Sequence, residues 1–417
     1  MLLRLLDVLS NFVFFYPLVM SLVWISGALL FRSRLEKNQE ETFKTTQWPK
    51  VSVLIPCYNE ADTIEETITM MDRLPYPDFE IIAVNDGSKD NTGELLHSLV
   101  QRFERLRIID IKQNRGKANA LKVAAHASKA EYLVCVDSDA VLDDYAIHHL
   151  IDNFMFHGER LGAVTGNPRI RNRDTLLAKL QILEYASIIG AIKRAQRILG
   201  KIMTVSGVVV AFRKKALLSV NLWDSDMITE DISVSWKLQE KFWDIRYEPK
   251  ALCWMLVPET IKGIWKQRIR WAQGGQEVLM RHYKIMFSYK HRRLWPIFIE
   301  QFLSVFWSFS WIFVTVFYLV FASTWFDRLI WLTFASFFLV LLSMIQLLVS
   351  IDIDSQYDDI RSLFFFGAWY PFIYWLLNAL IVLFAFPKAI KSRLKGGDAL
   401  WSSPDRGFRK NSGINNS

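Results

Sequence analysis

Hydrophobic and polar positions divide this chain into two kinds of territory. One is apolar without a break. Phe12 to Phe31 reads FVFFYPLVMSLVWISGALLF and carries no charge, a run long enough to cross about 30 Å of hydrocarbon. It is too long for the apolar part of a signal peptide, and no small-x-small cleavage site follows it. Three further apolar runs, Trp295–Phe321, Leu329–Ile351 and Leu363–Phe386, predict a membrane block near the other end.

The territory between alternates strand-like and helix-like patterns. VSVLIPCYNE (Val51–Glu60) is a β-branched run ending in a loop, and DTIEETITMMDRL follows with helical spacing. FEIIAVNDGSKDNT repeats the plan, with a helix running on from Thr92. LRIIDIKQN and EYLVCVDSD read as third and fourth strands, with the helix GKANALKVAAHAS between them. This alternation predicts a mostly parallel sheet covered on both faces, with ligands beyond the carboxyl ends of the strands. The polar turns Asn59-Glu60, Asn85-Asp86 and Asp137-Ser138-Asp139 all fall at those ends.

Composition supports a chain of two natures. Of its 417 residues 52% are hydrophobic, yet 22% are charged, which suggests soluble and membrane parts joined together. The net charge of +8 suits anionic headgroups or a phosphorylated substrate, and the lack of a long basic run argues against nucleic acid. Cys57, Cys135 and Cys253 form neither a metal-ligand pattern nor a disulfide framework, which fits a reducing compartment. RSRLEK follows the first apolar run, so the positive-inside rule predicts an outside N-terminus and a cytoplasmic middle block. If all three late runs span, the basic tail lies outside, against its charge. Pro371 interrupts the last run, so a re-entrant or interfacial course remains the alternative.

The candidate chemistry sits in the turns. Neither G-x-G-x-x-G nor G-x-x-x-x-G-K-[ST] occurs, so a bound diphosphate needs side chains and a metal to neutralise it. In NDGSKDNT, Asp86, Ser88, Asp90 and Asn91 are ordinary turn and cap residues; the functional alternative makes Asp86 an acceptor for a nucleoside's ring or sugar. Asp137-Ser138-Asp139 is stronger, because two carboxylates so close repel unless a cation joins them. A solvated acidic turn would also carry D-x-D. Asp139 suits a divalent cation shared with substrate phosphates. Lys117, in the first turn of its helix, is either a solvated surface lysine or a second cation beside a diphosphate.

Thr229-Glu230-Asp231 opens an amphipathic helix, as Thr followed by acids commonly does. Functionally, Asp231 is a general base for a sugar hydroxyl, taking the proton only as the new bond forms. WKQRIRWAQGG puts Gln267, Arg270 and Trp271 on neighbouring positions of one helix, either as an interfacial helix or as an aromatic platform with a phosphate-facing arginine. IKRAQR (Ile192–Arg197) reads as a basic interfacial face.

Taken in order, IPCYNE, NDGSKDNT, VDSDA, TED and QRIRW resemble the inverting, processive family-2 glycosyltransferases, which include cellulose, chitin and hyaluronan synthases. AVTGNPRIR, DMITEDISVSWKL, ALCWMLVPET, WKQRIRWAQGG and WSSPDRG resemble, more closely, the bacterial synthases of β-1,6-linked poly-N-acetylglucosamine, a biofilm polysaccharide. The resemblance implies an α/β GT-A domain with a mixed, mostly parallel sheet, plus N- and C-terminal transmembrane helices. The boundaries expected are a first span over 1–34, a transferase domain over 48–290, a membrane block over 294–390 and a basic tail over 391–417.

It also implies UDP-N-acetylglucosamine as donor, a growing polysaccharide as acceptor, Mg2+ or Mn2+ as cofactor, and a small accessory subunit in a bacterial inner membrane. By it, Asp86 contacts the uridine, Lys117 and Asp137 the nucleotide-sugar, and Asp139 the metal. Asp231 is the base, with Glu230 beside it in the substrate site. Gln267, Arg270 and Trp271 form the acceptor-end and diphosphate site, and Ser206 and Gly207 line the acceptor pocket. Three rivals stay open: a chitin- or hyaluronan-type synthase, a single-sugar transferase to a lipid carrier, and a membrane assembly subunit without catalysis.

Overall fold

The computed structural model describes residues 2–37, 43–321 and 325–399. Eight strands form one sheet: β1 (Val51–Cys57), β2 (Phe79–Asp86), β3 (Leu106–Ile111), β4 (Tyr132–Val136), β5 (Val141–Leu142), β6 (Leu161–Ile170), β7 (Val209–Arg213) and β8 (Asp244–Met255). Their order is β3-β2-β1-β4-β7-β6-β8-β5. The β3-β2-β1-β4 half is parallel throughout, while β7 pairs antiparallel with both β4 and β6. β8 runs parallel to β6 and antiparallel to β5, which makes the sheet mixed.

Fourteen α-helices are described: α1 (Leu2–Phe31), α2 (Ile64–Asp72), α3 (Thr92–Val100), α4 (Lys117–Ala127), α5 (Ala146–Phe156), α6 (Leu176–Glu184), α7 (Ala191–Leu199), α8 (Lys214–Ser219), α9 (Glu230–Glu240), α10 (Ile261–His282), α11 (Trp295–Phe321), α12 (Trp325–Asp354), α13 (Phe364–Gly367) and α14 (Tyr370–Lys395). β1 and β2 are near-continuous apolar runs because both their faces are covered. Val51, Val53 and Ile55 meet α2, α3 and α5 on one side, while Leu54, Ile82 and Val84 meet α4 on the other. This double coverage fixes the register, so the chain emerges at Asp86 and Asp137 at one end of the sheet.

Three described helices are long and apolar enough to cross a membrane: Arg4–Glu36, Tyr289–Phe321 and Ile373–Lys395. The apolar run Leu363–Phe386 is broken just before Pro371: α13 ends at Gly367 and α14 begins at Tyr370, with Pro371 in its first turn, where its missing N–H costs no helical bond. The first residues of the basic tail do not point away from the transferase domain. The Ala399 amide donates to the Ser225 carbonyl at 2.7 Å, and Asp398 lies 3.6 Å from Arg115. The tail's start therefore lies against the sheet domain. WSSPDRG lies outside the described residues.

The basic stretch IKRAQR is not an interfacial face. Lys193, Arg194 and Gln196 are buried. Arg194 donates from Nε to Glu36 at 2.9 Å and from Nη1 to Asp354 at 2.7 Å, and Arg169 reaches Asp354 at 3.0 Å. These four side chains clamp the ends of α1 and α12 to β6 and α7. Losing one partner would strand buried charge, so the clamp fixes the membrane helices relative to the sheet.

Candidate active site

β4 is buried over all five residues and ends at Val136, so Asp137 and Asp139 are delivered to a fixed point just beyond it. A cavity of about 500 Å³ opens there. Lys117, Asp137, Asp139, Ser206, Gly207, Glu230 and Asp231 line it, as do Gln267, Arg270 and Trp271. Ten of the eleven residues singled out from the sequence therefore converge on one space.

Asp86 is the eleventh and is not part of that lining. It is buried at the end of β2, and its carboxylate accepts from the backbone amides of Arg115 and Gly116 at 2.8–3.2 Å. Burial pushes its pKa up, against the pull of those two amides and of Arg115. The bonds fix the turn that starts α4, and so they fix Lys117. The neighbouring turn residues serve the loops themselves: Asp90 holds Thr92, and Asn59 and Ser88 tie the first two loops together.

Lys117 links the two acidic motifs. Its Nζ lies 2.6 Å from Asp137 and 3.2 Å from Glu230. Burial alone would lower its pKa, but Asp137, Glu230 and Asp231 more than reverse this and hold it charged. Asp231 is pushed up to about 6, first by burial and then by Glu230, with Lys117, the Ile232 amide and Arg270 opposing. Thr229 makes no side-chain cap bond at the start of α9; the Ile232 amide is taken by Asp231 itself, at 2.9 Å. The Thr-Glu-Asp run is thus more than a helix start.

Glycines permit the close approach. A Cβ on Gly207 would stand 3.3 Å from both Asp231 Oδ2 and Lys117 Nζ. On Gly274 it would stand 1.9 Å from Thr229 Oγ1, so α10 and α9 touch through this position. Gly274→Ala is expected to push Glu230 and Asp231 off their positions, cost about 1–3 kcal/mol of stability by overpacking and lower activity at least about tenfold. Thermal denaturation in detergent and a UDP-release assay check both halves.

Some site residues escaped the sequence reading. Arg268 pairs with Glu184 at 2.9 Å and lies 4.1 Å over the Trp271 ring, which fixes that ring at the cavity wall. Lys193 reaches Ser206 Oγ and lies 3.5 Å from Thr165 Oγ1. Burial lowers its pKa to about 7, with Asp231 opposing. Arg268 stands inside QRIRW and was legible as a motif residue; Lys193 carried no local signal. The cavity also reaches Trp24, Glu300, Ser343 and Trp375, on α1, α11, α12 and α14.

The donor set can be tested against a metal. Among the described residues no group of three or more His, Cys, Asp or Glu side chains converges as a metal cage. Asp139 offers a hard carboxylate at the cavity wall, 6% exposed, with Asp137 two residues before it. One or two carboxylates completed by substrate phosphates and water is the usual magnesium arrangement and unlike a structural zinc site. The residues present fit a hard divalent ion held by one or two carboxylates.

Comparison with known proteins settles the family. A model described as "Glycosyltransferase like family 2" matches residues 49–274. The chain belongs to the family 2 glycosyltransferases. It is 45% identical to the poly-beta-1,6-N-acetyl-D-glucosamine synthase of Staphylococcus epidermidis over 413 residues, covering 95% of this chain and 98% of that one. With the synthase of the same name from Staphylococcus aureus it shares 44% over 407 residues, at the same coverage. A mannosyltransferase from Pyrobaculum calidifontis, solved with GDP-Man and Mn2+, matches in fold with a TM-score of 0.67 at 18% identity, over 92% of this chain and 99% of that one. This family 2 glycosyltransferase thus has a GT-A fold with helices apolar enough to span a membrane at both ends.

Proposed function

We propose that this chain polymerises N-acetylglucosamine from UDP-N-acetylglucosamine into a β-1,6-linked polysaccharide, by inversion and processively, and passes the product into its membrane helices. One observation carries the polymerase reading: the carboxylates at the end of β4 and the start of α9 share a single cavity with α1, α11, α12 and α14. A transferase acting once on a small soluble acceptor needs no path into the membrane block, whereas one acting on a lipid carrier would, and the donor assay below separates that rival by its lack of polymer. The names of relatives 44–45% identical over nearly the whole chain support the donor and the linkage.

In this reading the transferase domain, 48–290, faces the cytoplasm, consistent with the basic residues after the first span and at the start of the tail. The acceptor hydroxyl lies between Asp231 and the donor's C1. Asp231 Oδ2 takes its proton as the oxygen bonds to C1 from the face opposite UDP. The bond from C1 to the diphosphate oxygen breaks, and UDP leaves with the electron pair. The α-linked donor gives a β-linked product through an oxocarbenium-like state, by analogy with inverting glycoside hydrolysis. Lys117, 2.6 Å from Asp137 and 3.2 Å from Glu230, offsets the repulsion among the carboxylates around the base. Arg270 and Gln267 bind the diphosphate and the acceptor end, and Trp271 stacks on the acceptor sugar. A Mg2+- or Mn2+-like ion held by Asp139 would supply Lewis-acid charge at the leaving diphosphate. Asp86 serves the uridine pocket by fixing the Arg115–Lys117 turn, and a small accessory subunit belongs to the membrane side.

The base has a pH signature. Its raised pKa means that below about pH 6 the folded enzyme holds a proton on Asp231 and the base is lost, while above it the carboxylate is available. The acid limb of kcat/KM is expected to bend near pH 6, well above the ordinary carboxylate range of about 4. A limb bending at pH 4 would mean that another carboxylate governs the rate. The donor is tested by supplying UDP-N-acetylglucosamine, UDP-glucose or UDP-glucuronate to membranes carrying the chain. Polymer from the first alone is expected; UDP release without polymer from any donor would favour the single-sugar transferase.

A further inference from the structure

The buried clamp uses only part of the charge on α7. Arg197, in its last turn, is half-buried, as is Arg246 on β8, and Lys201 is buried just beyond the helix. Arg293, exposed just before α11, completes the group. Burial lowers the pKa of Lys201, with Asp244 opposing and the nearby Arg293 and Arg197 adding to the fall. Burial and then Arg197 push Arg246 down to about 10, against Glu248 and Asp244. Among the described residues these four cations make a single ion pair, Lys201 to Asp244 at 3.3 Å, and Asp244 is itself exposed.

Like charges gathered with so little compensation are costly until an anion joins them. Three guanidiniums and an ammonium suit the oxygens of a phosphate. Where that phosphate comes from follows from the place. Arg293 lies near the start of the candidate span Tyr289–Phe321. A Cβ on Gly27 would stand 2.6 Å from that of Ala195, so α7 lies against the span Arg4–Glu36. The Phe31 ring of that span is 6.1 Å from the ring of Tyr247, the residue after Arg246. The cations therefore sit where two spans leave the sheet domain, at the depth of lipid headgroups. Exposed Leu199, Phe287 and Tyr289 flank them along the chain, as the boundary between headgroups and acyl chains favours.

We infer that Arg197, Lys201, Arg246 and Arg293 bind the phosphate of an anionic phospholipid, and that this headgroup holds the segment from α7 to Ser206 in its working position. Lys201 opens that segment. Ile202 is bonded through both its backbone groups to the Gln239 amide on α9, at 2.8–3.1 Å, and the Met203 amide donates to Gln196 at 3.0 Å. α9 is the helix that opens with Glu230 and Asp231, and α7 carries Lys193 to Ser206. A displacement at Lys201 therefore acts on the base and on the pocket beside it together. The lipid site stands without the function proposed above; its effect on catalysis rests on that reading.

The full chain is reconstituted in nanodiscs of phosphatidylcholine alone or of phosphatidylcholine mixed equally with phosphatidylglycerol. Lipid retained after detergent extraction is counted by mass spectrometry, and UDP release from UDP-N-acetylglucosamine is followed in the discs. The wild type is expected to retain phosphatidylglycerol over phosphatidylcholine and to release UDP several-fold faster in the mixed discs. Arg197→Gln with Arg293→Gln should lower the retained phosphatidylglycerol about tenfold and bring UDP release down to the level of the phosphatidylcholine discs. Arg246→Gln takes its place where that pair does not accumulate. Lys391→Gln with Lys395→Gln, an equal loss of charge at the end of α14, should keep wild-type retention. Equal retention of the two lipids by the wild type, or an equal loss in both double variants, would overturn the site. Inorganic phosphate that restores UDP release in phosphatidylcholine discs would overturn the lipid as ligand in favour of the free ion. Equal UDP release in the two discs would overturn the effect on catalysis. No UDP release in any disc would instead overturn the donor proposed above, and lipid retention would still decide the site.

Discussion

Asp231→Asn is expected to slow polymer synthesis by about 10²–10⁴-fold, the range that a positioned general base contributes. The substitution keeps the shape of the side chain, and its amide oxygen can still accept from the Ile232 N–H now bonded to Asp231 at 2.9 Å. Lys117 keeps its two closest carboxylates, Asp137 and Glu230. The site's architecture therefore survives while its proton acceptor does not. The loss should fall on kcat, with donor KM within a few-fold of the wild type, because the proton moves only as the bond forms. The acid limb near pH 6 should vanish with it. Wild-type polymer yield from this variant would remove Asp231 from the role of base.

Metal removal is the second large effect. EDTA is expected to abolish polymer formation, and Asp139→Asn to lower it by about 10³-fold, since charge at a leaving diphosphate is worth several kcal/mol and each 1.36 kcal/mol is tenfold. Added Mn2+ or Mg2+ should restore the EDTA-treated wild type and restore the variant only at higher concentration. That difference separates a metal-binding role from a merely structural one. Unimpaired synthesis in excess EDTA would leave the leaving group to the cavity's own cations, such as Lys117 and Arg270.

Much of this was legible along the chain because it depends on local pattern. β1 to β4 and α2 to α4 follow from β-branched runs, turns and helical spacing, and the acidic turns fall where a parallel sheet puts its ligands. The antiparallel insertion of β7 between β4 and β6 is different. It is a pairing between distant segments, and neither strand carries a local mark of its partner. Arg194 makes the same point more sharply. Its partners Glu36 and Asp354 lie 158 and 160 positions away, so a buried clamp looked like a basic surface face.

The site divides along the same line. Asp137, Asp139 and Asp231 announced themselves by spacing, whereas the contact between Gly274 and Thr229 exists only once α10 is laid against α9. Asp86 was legible as a candidate site residue; the structure adds that its carboxylate accepts from the Arg115 and Gly116 amides and so fixes the Lys117 turn. Lys193 needed Thr165 and Ser206 beside it before it counted as part of the cavity.

The central claim is the polymer itself. Membranes carrying this chain, supplied with UDP-N-acetylglucosamine and Mg2+, should yield a polymer that a β-1,6-specific hexosaminidase degrades and chitinase leaves intact. A product cut by chitinase and resistant to the hexosaminidase would contradict the linkage and make the chain a chitin-type synthase.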